Sequence, residues 1–281
     1  MDIDTSEKTK IVFEIEIKPG EPMGYGSNFF AVLTNINHCL NKGLQPYISI
    51  KNPNYNGDVN LWDVVFEQPF NITSEEAESL KKYGWGELGD TLFSYHGDTR
   101  LKFQDEDFIS TQRKIISEYV RPLQHLQDRV SEFLKPYENK KILGIHRRGR
   151  DHFTTGHARG QGYKLPTSYV KDVIDEHIDS YDYLFVTSDE KEVYTNLKQI
   201  YPEKIIFFDT KDQFGDNNLG LQSLNLTKDE KIDMIHNLMT EVFIMSKCDA
   251  ILLMNSNVSH MSLLFSKTED YAFYDMHVDY H

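Results

Sequence analysis

The amino-acid sequence predicts an α/β protein of two lobes, each built around a parallel sheet. Short apolar runs rich in β-branched and aromatic residues recur along the chain, and helical patterns separate them. In the second half these runs are apolar without interruption, as in strands that helices cover on both faces of a parallel sheet. The 281 residues suffice for two domains of ordinary size.

The first half opens with a strand–helix–strand pattern, predicted at 11–13, 27–41 and 45–50. A helical crossover of this length can join two parallel strands. Residues 51–110 lose clear periodicity and carry turn signals, which predicts loops and short elements. Over 110–134 the apolar residues recur at helical spacing, which predicts a long amphipathic helix, bent or restarted near Pro122.

The second half alternates apolar runs with helical patterns and predicts a doubly wound sheet. The predicted strands cover 141–146, 183–187, 205–209 and 250–254. The predicted helices between them cover 167–178, 190–200 and 229–247. We place the division near Pro136, so that the lobes comprise residues 1–136 and 137–281.

The composition excludes several classes of protein. The chain has 30 basic and 44 acidic residues and a net charge of −14, which argues against binding along nucleic acid or to an anionic membrane. Apolar stretches stay short of the roughly 18 residues of a membrane span, and the first residues lack a secretion-signal pattern, so we expect a cytoplasmic protein. Cys39 and Cys248 are expected to be buried thiols, not a disulfide or a zinc site.

Polar or glycine-rich clusters lie at four predicted strand ends or helix starts. Open α/β sheets bind ligands beyond the carboxyl ends of their strands, so these clusters form the candidate site. They are Gly24–Asn28, His146–Asp151, Thr187–Glu190 and Asn255–Asn257.

The first cluster, residues 24–28, reads Gly-Tyr-Gly-Ser-Asn and lies at the start of the first predicted helix. Its glycines permit close backbone approach, and free N–H groups at a helix start can hold an anion. The sequence lacks the third glycine of a dinucleotide fingerprint and the Gly-Lys-Ser/Thr of a P-loop. An ordinary turn is the alternative interpretation.

The second cluster, residues 146–151, reads His-Arg-Arg-Gly-Arg-Asp. The planar guanidinium fork of arginine grips pyrophosphate well, so the cluster indicates a diphosphate site. Salt bridges to the surplus acidic residues are the alternative. A kinase catalytic loop is excluded, because no Asn follows at the required spacing and no Asp-Phe-Gly occurs in the sequence.

The segment 144–151 resembles the His-x-Arg-(Arg/Gly)-x-Asp motif of the superfamily of α-1,6-fucosyltransferases, nodulation fucosyltransferases and protein O-fucosyltransferases. The other clusters follow in family order: 24–28 resembles its glycine-rich loop, 186–189 its Thr-Asp strand end, and 246–259 its last motif. The resemblance implies a GT-B-like fold of two Rossmann-like lobes. It also implies metal-independent, inverting transfer of a sugar from a nucleotide diphosphate to a glycan.

The resemblance assigns roles to individual residues. Arg148 matches the arginine that holds the β-phosphate, where it offsets the charge of the leaving diphosphate. His146 matches a donor-binding histidine. The other expected contacts to the nucleotide sugar are Gly24, Tyr25, Gly26, Ser27, Asn28, Thr187, Ser188, Asp189, Ser256, Asn257 and Val258.

Glu241 lies eight residues before Asp249 and matches an acid that contacts guanine in the family. The family has Asp there. The longer Glu leaves the choice between guanine and uracil undecided, since uracil too offers an N–H group. Gly149 stands where some members carry a second Arg, and Arg150 where many carry Thr. The resemblance therefore implies GDP-fucose as donor, with a UDP-sugar such as UDP-xylose as the alternative. No metal or other cofactor is expected.

Transfer with inversion needs a general base on the acceptor hydroxyl. Asp151 is the first candidate, and His152 and His157 are the reserves. The glycine-rich polar segment 154–163 could order over the donor, with Tyr163 stacking on a sugar; an ordinary loop is the alternative.

Two further features each have a simpler alternative. The acidic run 105–107 has the Asp-x-Asp pattern of metal-dependent glycosyltransferases, but charge at a helix start is the simpler explanation. Trp62, Trp85 and Tyr95 could form a platform for an acceptor sugar, although core packing is the default for such residues.

The expected partners are a nucleotide-sugar donor, bound by the carboxyl-terminal lobe, and an oligosaccharide or glycoprotein acceptor, bound by the amino-terminal lobe. A dehydrogenase would need a complete glycine fingerprint and an acid about 20 residues later, and neither is evident. A non-catalytic protein that binds carbohydrate or nucleotide is a second alternative, because a fold alone does not establish activity.

Overall fold

The structure, a computed structural model, describes residues 9–18, 23–55, 57–88, 102–148, 166–208 and 226–274. They form two compact units, drawn from 1–124 with 227–236 and from 125–226 with 237–281. The elements in chain order are β1 (Thr9–Glu16), α1 (Tyr25–Asn41), β2 (Leu44–Lys51), α2 (Ser74–Glu78), β3 (Lys82–Gly84), α3 (Glu106–Tyr119), α4 (Gln124–Leu134), β4 (Ile142–Arg147), α5 (Thr167–Asp175), β5 (Tyr183–Ser188), α6 (Lys191–Ile200), β6 (Ile205–Ile206), α7 (Lys228–Met245), β7 (Ala250–Leu253), α8 (Asn257–Phe265) and β8 (Tyr271–Phe273).

The first unit contains a parallel sheet in the order β2-β1-β3. β1 and β2 pair along their whole length, and α1 is the crossover between them, as the strand–helix–strand pattern predicts. Most of α1 is buried, including Phe29, Val32, Leu33 and Ile36. β3 was not predicted, because its three residues lie in a polar, glycine-containing stretch without alternation.

Side-chain amides cover the outer edge of β2 in this sheet. The Asn60 side chain accepts from the Ile50 N–H at 2.8 Å and donates to the Ile48 carbonyl at 2.7 Å. The Gln68 side chain accepts from the Ile48 N–H at 2.8 Å and donates to the same carbonyl at 2.9 Å. The Asp63 carboxylate accepts from both amides, at 2.9 and 2.6 Å, which fixes their orientation. Burial raises the pKa of Asp63.

The helix predicted over 110–134 is two helices, α3 and α4, separated at Pro122, so the predicted restart is confirmed. Asp105 is the N-cap of α3, and its carboxylate accepts from the backbone N–H groups of Asp107 and Phe108 at 3.0 and 3.2 Å. The acidic run 105–107 therefore begins a helix, as the simpler of the two interpretations has it.

The second unit contains a five-stranded parallel sheet in the order β6-β5-β4-β7-β8. Every residue of β4 is buried, which explains the continuous apolar run. α8 and β8 were not predicted, because α8 is short and lacks amphipathic spacing and β8 has three residues. The prediction of an α/β chain with two parallel sheets is confirmed.

Gly144, in the centre of β4, is closely approached by two neighbouring side chains. A Cβ atom there would meet Cys248 Sγ at 3.0 Å and Ile251 Cγ2 at 3.2 Å. We expect Gly144→Val to lower the free energy of unfolding by about 1–3 kcal/mol, measured by urea denaturation. In the double variant Gly144→Val/Cys248→Ala the two effects should be less than additive, because the smaller residue makes room. Strict additivity would contradict this explanation of the glycine.

Both cysteines are buried thiols, as predicted. Burial raises the pKa of the Cys39 thiol to about 12. Among the helices that the structure describes, none combines the length and the apolar character needed to cross a membrane.

Candidate functional site

The carboxyl ends of three neighbouring strands carry most of the predicted donor-binding residues. β4 lies between β5 and β7, and because all three run parallel, their carboxyl ends meet at one edge of the sheet. His146 pairs in register with Thr187, and Ser256 follows β7 directly. His146, Thr187, Ser188 and Ser256 are all buried. The structure therefore brings these residues together in the second unit.

Two serine hydroxyls contact one ring nitrogen of His146. Ser259 Oγ lies 2.7 Å and Ser256 Oγ 3.2 Å from His146 Nδ1. The His146 carbonyl accepts from the Tyr274 hydroxyl at 2.8 Å, which holds the backbone at the end of β4. Ser259 is fully buried, so the cluster excludes solvent from this side of the ring.

Ser256 is also the N-cap of α8, with its hydroxyl oxygen accepting from the Ser259 N–H at 3.2 Å. Asn257 and Val258 are the first two residues of this helix and are half-buried. The first N–H groups of a helix lack acceptors within the helix, and its N-terminus carries a partial positive charge. This end of α8, beside His146, is therefore suited to an anion.

The two neighbouring arginines of the cluster differ in their surroundings. The Arg147 side chain is only 5% exposed, and its Nη1 lies 3.8 Å from Oε2 of Glu190, whose side chain is 12% exposed. Arg148 follows the last residue of β4 and is half-buried, and its backbone N–H contacts the Met254 sulfur at 3.3 Å. Arg147 is thus part of an internal ion pair, whereas Arg148 lies at the edge where β4 and β7 end.

Glu241, on α7, is a buried carboxylate beside the end of β5. Its Oε2 accepts from the Thr187 hydroxyl at 3.0 Å. The nearby Tyr194 hydroxyl accepts from the Ser188 N–H at 2.7 Å and donates to the Ser188 carbonyl at 3.0 Å, which fixes the strand end. Burial, with the negative charges of Glu241 and Asp189, holds the pKa of Tyr194 well above its usual value. Tyr194 therefore stays a neutral hydroxyl.

The glycine-rich loop of the first unit leads into α1, with Gly24 as the N-cap. The Tyr25 N–H donates to the Tyr55 hydroxyl at 3.0 Å, and Asn52 donates to the Met23 carbonyl at 3.0 Å. Gly26 is buried and Ser27 half-buried. Asn28 is fully buried, and neither atom of its amide has a hydrogen-bond partner among the residues that the structure describes.

Several predicted residues lie outside the described residues: Asp151, His152, His157, Tyr163 and Tyr95. Trp62 is described and is 1% exposed, and its indole N–H donates to the Glu67 carbonyl at 3.0 Å. It belongs to the core and is unavailable to an acceptor sugar, whereas Trp85 is 37% exposed. Within the described ranges, no three His, Cys, Asp or Glu side chains are grouped as a metal site requires.

Tyr194 and Tyr274 were not predicted, and Ser259 was predicted only as the last residue of the motif 246–259, without a role of its own. Ser259 stands three residues after Ser256, which is the spacing of a helix cap with its partner. Tyr194 and Tyr274 reach the strand ends from other elements, and such contacts leave no pattern in the sequence.

No protein-family model and no curated protein sequence matches the chain. Solved structures do. Fucosyltransferase NodZ from Bradyrhizobium matches with a TM-score of 0.57 and 10% identity over 92% of this chain and 94% of that one. POFUT1 in complex with GDP matches with a TM-score of 0.56 and 10% identity over 96% of this chain and 99% of that one.

A mutant of Arabidopsis thaliana FUT1 in complex with GDP matches with a TM-score of 0.54 and 12% identity, over 95% of this chain and 71% of that one. A further NodZ structure, an α-1,6-fucosyltransferase, was soaked with GDP-fucose. At these identities the likeness establishes the fold. The predicted GT-B-like architecture is thus confirmed as the fold that the chain shares with these structures.

Proposed function

We propose that the chain is an inverting, metal-independent glycosyltransferase that moves a sugar, fucose from GDP-fucose in the first instance, onto a glycan. The observation that carries the proposal is a group of residues suited to an anion at the carboxyl edge of the five-stranded sheet. There the N-terminus of α8, His146 and Arg148 lie beside the ends of β4 and β7. The structural neighbours with this fold include complexes with GDP.

The chemistry follows from the charge that develops on the leaving group. As the acceptor oxygen attacks the anomeric carbon, the bond to the diphosphate breaks and the diphosphate takes up the electron pair. A guanidinium at Arg148 and the helix N-terminus at Ser256 are suited to that charge, which a metal ion neutralises in other transferases. Asp151, with His152 in reserve, stays the proposed base that removes the proton of the acceptor hydroxyl.

We assign recognition of the nucleobase to Glu241. Guanine offers two adjacent N–H donors to one carboxylate, whereas uracil offers a single N–H. The Thr187 hydroxyl orients the carboxylate, because it donates one hydrogen bond to Oε2. This arrangement favours a GDP-sugar, and a UDP-sugar such as UDP-xylose is the alternative.

The glycine-rich loop is proposed as a further donor contact. A buried amide without hydrogen-bond partners costs about 1–3 kcal/mol. A bound group that supplies these partners would explain the arrangement at Asn28. We assign the acceptor, an oligosaccharide or a glycoprotein, to the predicted amino-terminal lobe, residues 1–136. The nucleotide sugar is assigned to the carboxyl-terminal lobe, residues 137–281.

Calorimetric titration with GDP and UDP in parallel, with EDTA present, tests the proposal. We expect GDP to bind and UDP to bind at least tenfold more weakly. In Glu241→Gln the affinity for GDP should fall by about 10- to 100-fold, since a hydrogen bond to a charged group is lost. Glu241→Asp is the matched control, because it restores the acid that the family carries and should retain the preference.

Each outcome decides between the alternatives. Tighter binding of UDP would indicate that the donor is UDP-xylose or a related UDP-sugar. Binding of neither nucleotide would favour a non-catalytic carbohydrate-binding protein.

A further inference from the structure

The hydroxyl groups around His146 define where its ring proton lies. Ser259 Oγ accepts from the Met254 N–H at 3.2 Å, and Ser256 Oγ accepts from the Ser259 N–H at 3.2 Å. Each hydroxyl oxygen therefore already accepts one hydrogen bond. Their own protons remain to be donated.

His146 Nδ1 is within hydrogen-bond distance of both hydroxyls, at 2.7 and 3.2 Å. In the part of the chain that the structure describes, neither hydroxyl has a different acceptor. If Nδ1 carried a proton, neither buried O–H group would have this acceptor, whereas a lone pair on Nδ1 accepts from one of them, a difference of about 1–3 kcal/mol. With a lone pair on Nδ1, the shorter contact becomes a hydrogen bond from Ser259 to the ring. The ring proton is then on Nε2.

We propose that Ser259, assisted by Ser256, fixes His146 as the neutral Nε2–H tautomer, so that this histidine donates a hydrogen bond to an anionic oxygen of the donor and does not act as the base. Ser259 is a positioning residue, because it acts through the ring. The identity of the anion rests on the proposed function, whereas the tautomer does not. Protonation of both nitrogens would also add positive charge beside the positive end of α8.

The tautomer can be observed directly in protein labelled with ¹⁵N-histidine. Long-range ¹H–¹⁵N correlation spectra distinguish a protonated from an unprotonated ring nitrogen, and His146→Gln identifies the signals of His146. We expect a protonated Nε2 and an unprotonated Nδ1 at neutral pH. A protonated Nδ1 in the wild-type protein would overturn the inference whether or not any nucleotide binds.

The positioning role is tested by two serine variants on the same helix. Ser259→Ala removes the hydroxyl that contacts Nδ1, and we expect a mixture of tautomers and about tenfold weaker GDP binding. Ser262→Ala is the matched control, because Ser262 is also buried but its hydroxyl donates to the Val258 carbonyl, within the helix. The control should leave both the tautomer and the GDP affinity unchanged.

The outcomes separate this inference from the proposed function. If Ser259→Ala folds with an unchanged tautomer and an unchanged GDP affinity, Ser259 does not position the ring. If Ser259→Ala does not fold, Ser259→Thr, which keeps the hydroxyl, should retain the wild-type tautomer, and loss of it there would overturn the inference. If the wild-type protein shows the Nε2–H tautomer but binds neither GDP nor UDP, the proposed function fails and the tautomer stands.

Discussion

Replacement of Arg148 with alanine is expected to lower turnover by about two orders of magnitude or more. One preorganised donor at a developing negative charge typically contributes this much to the rate. Arg148 is half-buried at the edge where β4 and β7 end, so the chain loses a charge there without losing part of its core. The measurement is the rate of GDP release from GDP-fucose with glycan acceptors present.

Two controls accompany the Arg148 experiment. Arg148→Lys keeps the charge but loses the planar fork, so its rate should fall between those of the wild type and Arg148→Ala. EDTA should leave the wild-type rate unchanged. Full activity in Arg148→Ala would contradict the proposed role of this arginine, and strict dependence on added manganese would contradict the replacement of a metal by arginine.

Replacement of the neighbouring Arg147 is expected to act on stability. Arg147→Ala leaves the Glu190 carboxylate, 12% exposed, without the guanidinium that lies 3.8 Å away. Removal of one partner of a buried ion pair typically costs about 3–5 kcal/mol. Denaturation with urea should therefore show an earlier midpoint for Arg147→Ala than for Arg148→Ala.

A double-mutant cycle measures the interaction energy between Arg147 and Glu190. In Arg147→Ala/Glu190→Gln the charge of the carboxylate is removed as well, so the loss of stability should be smaller than the sum of the single losses. If Arg147→Ala keeps the stability of the wild type but abolishes binding of GDP, the roles of the two arginines are exchanged.

The strands of the second sheet could be predicted because they are buried on both faces. β4, β5 and β7 have continuous apolar sequences, and the rule that ligands bind beyond their carboxyl ends selected His146 and Ser256 correctly as neighbours. Burial gives a local pattern, so it can be read from the sequence.

The remainder of the site depends on contacts between distant segments. The sequence shows two adjacent arginines, but the ion pair with Glu190 that distinguishes Arg147 from Arg148 forms only when the ends of β4 and β5 meet. Ser259 resembles any polar residue of a loop until α8 turns its hydroxyl towards His146. Such partners leave no periodicity, because they are set by the packing of whole elements.

The amide groups along β2 have a consequence for how the protein behaves in concentrated solution. An exposed edge strand offers its N–H and C=O groups to an extended segment of another molecule, which is a common route to self-association. At Ile48 both groups, and at Ile50 the N–H group, are already bonded to the Asn60 and Gln68 side chains, whereas the Ile50 carbonyl accepts from the Leu61 N–H. The Asp63 carboxylate accepts from both amides. A second chain would have to displace three side chains to add a strand here. Side chains of the same molecule thereby close this edge of the sheet.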